Sequence, residues 1–110
     1  MKRGEVWQVN LDPTRGHEQA SQRPGLVVSV DPFNHGPAGL VVILPISSRA
    51  TGIPLHVQIN PPEGGLTQVS FIKCEDVRSV SKERLTMRWG SISSDTMAAV
   101  EERLSILLGL

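Results

Sequence analysis

The rhythm of apolar and polar positions changes several times along this 110-residue chain, and each rhythm predicts an element. In residues 4–11 (GEVWQVNL), Trp7, Val9 and Leu11 recur at every second position, the period of a strand. Residues 23–30 (RPGLVVSV) and 39–46 (GLVVILPI) are continuous apolar, β-branched runs of the kind buried strands carry. Between them, DPFNHGPA predicts a turn region with room for one short helical turn. Residues 54–60 (PLHVQIN) alternate, with Leu55, Val57 and Ile59 inward and His56, Gln58 and Asn60 outward. Two further strands are expected at 66–73 and 85–92, separated by a short extended stretch and a turn. The last segment has helical spacing over 94–108: Met97, Val100, Leu104 and Leu107 form one apolar stripe. Ser93 or Ser94 can cap this helix, Asp95 suits its positive end, and Gly109 stops it.

Many short strands and one terminal helix predict a mainly β domain over 1–110, a strongly bent sheet of SH3-like barrel type sealed by the helix. The stripe is expected to pack on its own barrel rather than on a partner. Eight prolines and ten glycines agree with tight loops between strands. The polar stretch 12–22 (DPTRGHEQASQ) reads as a long loop.

Composition narrows the function classes. The formal net charge is zero, which argues against a protein that coats nucleic acid by bulk positive charge. A local basic cleft is still compatible with it, because the field at a site depends on where the charges sit. One cysteine, Cys74, allows no internal disulfide and fits a reducing compartment. The basic N-terminus is followed by no apolar run, and no segment approaches the length of a membrane span, so a cytoplasmic protein without a membrane role is expected. The histidines His17, His35 and His56 lack metal-ligand spacing, so neither a metal site nor another cofactor is expected. His35 and His56 read as ordinary surface residues. Trp7 and Trp89 lie in strand patterns and read as core.

Three polar clusters carry candidate chemistry. The loop 12–22 holds Arg15, His17, Glu18, Gln19 and Gln22 and runs into Arg23, whose backbone is biased toward extension by Pro24. An arginine that begins a rigid strand suits a group that must hold position, and equally suits a surface salt bridge. In PISSR, an apolar strand releases Ser47, Ser48 and Arg49 into a loop. Hydroxyls beside a guanidinium suit a phosphate, although a serine-rich turn has the same composition. The third cluster, KCEDVRS, carries Lys73, Glu75, Asp76 and Arg78 near a strand end, a pattern also used to keep a sheet edge solvated.

Taken together, RGEVWQVNLDPTRGHEQ, QRPGLVVS, LPISSR, CEDVRSVSKERL and SDTMAAVEERLSILLGL resemble the MazF/PemK toxin family along the whole chain. LDPTRGHEQ leans toward its PemK (Kid) branch. The resemblance implies an SH3-like barrel of PemK/MazF type, usually a homodimer. It also implies a toxin of a type II toxin–antitoxin system, a sequence-specific, metal-independent endoribonuclease (mRNA interferase) that cleaves single-stranded RNA and is blocked by a cognate antitoxin. Matched by motif, the family's essential arginine falls on Arg23, its Thr/Ser on Ser47 and the PemK-branch histidine on His17. Where that branch has an Arg and an Asp, this chain has Lys73 and Glu75, and a lysine cannot make the bidentate contact of a guanidinium.

The implied chemistry uses the RNA's own 2′-OH as nucleophile and leaves a 2′,3′-cyclic phosphate and a 5′-OH. Arg23 would clamp the phosphorane charge, Ser47 would donate to the phosphate, and His17 and Glu75 would transfer protons. Arg15, Glu18, Gln19, Gln22, Ser48, Arg49, Lys73 and Arg78 would contact the RNA, since single strands expose their base edges. The rival expectation is a catalytically silent barrel that binds RNA or a protein partner.

Overall fold

The segment with period two becomes strand β1 (Glu5–Asn10) in the computed structural model, which describes residues 1–11 and 22–110. It is followed by β2 (Gln22–Val27), α1 (Asp31–Asn34), β3 (Leu40–Ser47), β4 (His56–Ile59), β5 (Ser70–Lys73), β6 (Arg78–Ser81), β7 (Leu85–Ser91) and α2 (Ser94–Leu108). Short 3-10 turns lie at Glu63–Gly65, Cys74–Asp76 and Lys82–Arg84. The architecture is thus mainly β with a C-terminal helix.

The described strands form one antiparallel sheet in the order β4-β5-β3-β2-β1-β7, with β6 also on β3. β3 is the hub. Its first half pairs with β6, its last residues Ile46 and Ser47 pair with β5, and its middle pairs with β2. The hydrogen-bonded path is open, since β4 and β7 end it. Closure is made by packing instead. The Glu63–Gly65 turn lies so close to β7 that a Cβ on Gly65 would sit 2.2 Å from the Trp89 carbonyl oxygen, and one on Gly90 2.8 Å from Gly64. Gly65 also has φ +74°, a conformation costly for any residue with a Cβ.

The continuous apolar runs follow from burial of both sheet faces. On the helix side, Val6, Leu26, Leu44, Ile46, Val57, Ile59 and Ile72 pack with Met97 and Val100 of α2. On the other side, Val9, Val27, Val41, Ile43 and Leu85 form a second cluster, with Trp7 and Leu11 against it. Neighbouring residues of β2 and β3 therefore enter different clusters, and no polar alternation is needed. β2 stops at Val27, three residues short of the predicted end. There the Ser29 hydroxyl accepts from the Val42 N–H at 2.9 Å and bonds the buried Asn34 side chain, turning the chain into α1.

Ser93 caps α2 by accepting from the Thr96 N–H at 3.1 Å, and Gly109 ends it in the left-handed conformation. The predicted stripe packs on the sheet at Met97 and Val100, with Leu104 against the same cluster, whereas Leu107, Ile106, Leu108 and Leu110 are exposed. Among the described residues no helix is long and apolar enough to cross a membrane.

Candidate active site

The ladders that build the sheet also gather its polar chemistry. The last pair of the β2–β3 ladder is Gly25 with Pro45, and continuing its register by two residues sets Arg23 opposite Ser47. In antiparallel pairs, residues directly opposite point to the same side of the sheet. In the β4–β5 register His56 faces Lys73. The result is a cavity of about 540 Å³ lined by Arg23, Ser47, Ser48, Arg49, His56 and Lys73, with Thr51, Gln68 and Trp89 at its margins. A second hollow of about 300 Å³ adjoins it, reaching Pro45, Asp76 and Arg78. Arg23, Ile46, Ser47 and Lys73 line both, so they form the saddle between the two hollows.

Local structure prepares these groups. Ser47 is the last residue of β3, and its Oγ accepts the Arg49 N–H at 3.1 Å, which leaves the hydroxyl proton available to donate. Several arginines elsewhere are paired: Arg3 with Glu101 at 2.8 Å, Arg88 with Glu5 at 2.9 Å and Arg103 with Glu102 at 2.8 Å. Arg78 meets both carboxylate oxygens of Asp76, at 3.0 and 2.9 Å. Among the described residues, Arg49 and Lys73 have no carboxylate partner. The cavity wall is therefore a place where positive charge is gathered despite a net charge of zero.

The expected site residues are dispersed as follows. Arg23, Ser47, Ser48, Arg49 and Lys73 meet in the main cavity, and Arg78 lines the second hollow. Gln22 lies beside the cavity-lining Arg23 and is bonded to Gln8 at 2.8 Å. Arg15, His17, Glu18 and Gln19 lie outside the described residues. Glu75 does not line the cavity; its Oε2 is bonded to His56 Nε2 at 2.9 Å.

One sequence reading needs correction here. His56 is not an ordinary surface residue: its side chain is only 5% exposed, and it lines the cavity. Alternation along β4 assigns its face correctly, opposite Val57 and Ile59, but that face is the cavity wall rather than open surface. The signal that could have found it is the pairing of His56 with Lys73 across β4 and β5, which needs the register. Trp89 packs against the helix-side cluster as expected of a core residue, yet it also borders the cavity.

Among the remaining titratable groups, burial pushes the Cys74 thiol up to about 11, with Glu75 adding to the rise and Arg103 opposing it. It is an inert core residue rather than a nucleophile.

A bent antiparallel sheet with a terminal helix, carrying a saddle of guanidinium, hydroxyl and ammonium groups between two hollows, defines a small β domain with a cation-lined cleft. Residues 2–108 match the model of the PemK-like, MazF-like toxins of type II toxin–antitoxin systems, and the chain belongs to that family. It is 36% identical over 115 residues to endoribonuclease MazF9 of Mycobacterium tuberculosis, covering 100% of this chain and 98% of that one. It is 33% identical over 111 residues to endoribonuclease EndoA of Bacillus subtilis, covering 100% and 96%. The fold matches the MazF chain of a MazE–MazF structure from Deinococcus radiodurans with a TM-score of 0.85, at 32% identity and with 100% and 96% coverage.

Proposed function

We propose that this toxin is a sequence-specific endoribonuclease that cuts single-stranded RNA in the cavity, with the scissile phosphate on the saddle between the two hollows. The reading is carried by one observation: Arg23 and Ser47, each two residues past the last pair of the β2–β3 ladder, both line both hollows. A strand crossing from one hollow to the other would lay one phosphate across them and its flanking nucleotides on either side.

In this reading the Arg23 guanidinium clamps the charge that develops on the phosphorane, and the Ser47 hydroxyl donates to a phosphate oxygen. Lys73, Arg49 and Ser48 hold the chain in the main cavity, and Arg78 holds it in the second hollow. The nucleophile is the substrate's own 2′-OH, so the chemistry asks for no metal. The relatives' names support the activity, and the MazE–MazF neighbour supports a cognate antitoxin as partner. A homodimer in the cytoplasm belongs to the same reading.

A fluorogenic oligoribonucleotide tests it. Cleavage is expected to persist in EDTA, to vanish for the matched deoxy-oligonucleotide, and to fall by ~10²–10³ or more in Arg23→Ala with an unchanged circular dichroism spectrum. Cleavage of the DNA at an equal rate would overturn the 2′-OH chemistry. Tight RNA binding without any cleavage by the wild type would favour a silent binding barrel.

A further inference from the structure

We propose that His56 is the general base that takes the proton from the attacking 2′-OH, and that Glu75 holds it in the tautomer this requires. The proposal rests on the reading above and adds the proton acceptor that Arg23, Ser47 and Lys73 do not supply. A guanidinium and an ammonium have no lone pair to offer, and a serine hydroxyl is a weak base.

The tautomer follows from the Glu75 contact. An ionised carboxylate only accepts hydrogen bonds, so the His56 Nε2 facing Glu75 Oε2 at 2.9 Å carries the hydrogen. In the neutral ring the lone pair is then on Nδ1. Nδ1 lies 3.4 Å from the Thr51 hydroxyl, a long contact to another residue of the cavity wall. Nδ1 thus faces a residue of the main cavity, where the proposal places the ribose whose 2′-OH attacks the phosphate on the saddle.

The surroundings explain why a carboxylate is needed. His56 faces Lys73 across the ladder, and Arg23 and Arg49 line the same cavity from other segments. These cations oppose the charge that the ring gains on taking a proton. Glu75, bonded to the far nitrogen, offsets that opposition as the imidazolium forms. Its second oxygen, Oε1, is buried without a partner among the described residues, so the ring is the group that answers its charge. The side chain is 5% exposed and anchored through Nε2, which suits a base that must keep its aim.

The step balances without a co-reactant. The O2′ proton moves to Nδ1, the O2′–P bond forms, and the P–O5′ bond breaks with its electron pair on O5′. O5′ takes a proton from solvent, and the imidazolium returns one to solvent.

His56→Ala is expected to lower cleavage by ~10²–10⁴ while RNA binding is retained. Added imidazole is expected to restore cleavage at least about tenfold in this variant and not at all in Arg23→Ala, because a free base can replace a missing base but not a missing clamp. A folded, slow His56→Ala that imidazole leaves unchanged would make His56 structural and overturn the proposal. Wild-type cleavage by His56→Ala beside an inactive Arg23→Ala would overturn it too, with the site reading intact. Wild-type cleavage by both would overturn the site reading itself. Should His56→Ala fail to fold, Glu75→Gln decides. It keeps the shape and lets an amide donate to Nε2, the tautomer exchange that costs ~10⁴ in a Ser-His-Asp triad. A fall in kcat with KM unchanged supports the proposal, and an unchanged kcat overturns it.

Discussion

Beneath α2, side chains of β1 to β5 meet Met97 and Val100 in a layer of aliphatic groups. On the cavity side, the same strands end in Arg23, Ser47, His56 and Lys73. The first region gathers residues whose burial is favourable wherever they sit; the second gathers like charges that gain nothing from one another. Elsewhere on the molecule several arginines are matched to carboxylates, as in Arg3–Glu101 and Arg88–Glu5. The difference teaches that the apolar layer supplies the stability on which an electrostatically unfavourable wall can be held, ready for an anion that supplies the missing negative charge.

That contrast can be broken by substitutions that should separate stability from activity. The largest stability effect is expected from Leu44→Ala, because Leu44 is fully buried in the helix-side layer: a loss of about 2–5 kcal/mol in denaturant unfolding. Cleavage per folded molecule should be unchanged. Ser47→Ala should do the reverse, lowering cleavage about 10²-fold while unfolding stability shifts by no more than about 0.5 kcal/mol. If both quantities fall together, the two regions are not separable. Lys73→Ala should weaken RNA binding evenly across sequences and reduce the slope of log affinity against log salt by about 1, measured by fluorescence anisotropy.

The smallest effect concerns Glu63, whose carboxylate accepts the Ser93 N–H at 2.8 Å at the start of α2. Burial pushes the Glu63 carboxyl up, but the Ser93 N–H and the hydroxyls of Thr96 and Ser93 outweigh it and hold it below its ordinary 4.5. The folded state therefore binds this proton less readily than the unfolded chain. The stabilisation is present above the ordinary value and is lost as pH falls through the lowered one. Glu63→Gln should flatten that part of the acid unfolding curve, seen in urea midpoints, and leave cleavage near neutral pH unchanged.

Several elements were legible because one local rule governs each. Trp7 and Val9 share a face of β1, and they and Leu11 just beyond its end all meet the cluster around Ile43, as their spacing of two requires. The span of α2, its Ser93 cap and its Gly109 stop follow from helical periodicity and terminal backbone chemistry. Less legible were the ends of strands. The run 66–73 pairs only from Ser70, because Leu66 is buried in the core while Thr67 and Gln68 border the cavity. Arg23 and Ser47 could be singled out by motif and residue type, whereas His56 could not, since its alternation is that of any exposed strand residue.

By itself the sequence determined the strands, the terminal helix, their buried residues and the presence of three polar clusters, because each depends on neighbours a few positions apart. Only the tertiary structure decided that Arg23 and Ser47 line the same two hollows, that His56 faces Lys73, and that Glu75 reaches the cavity through an imidazole. Those relations join residues tens of positions apart through ladder register, and register is set by how both faces of the sheet are buried at once.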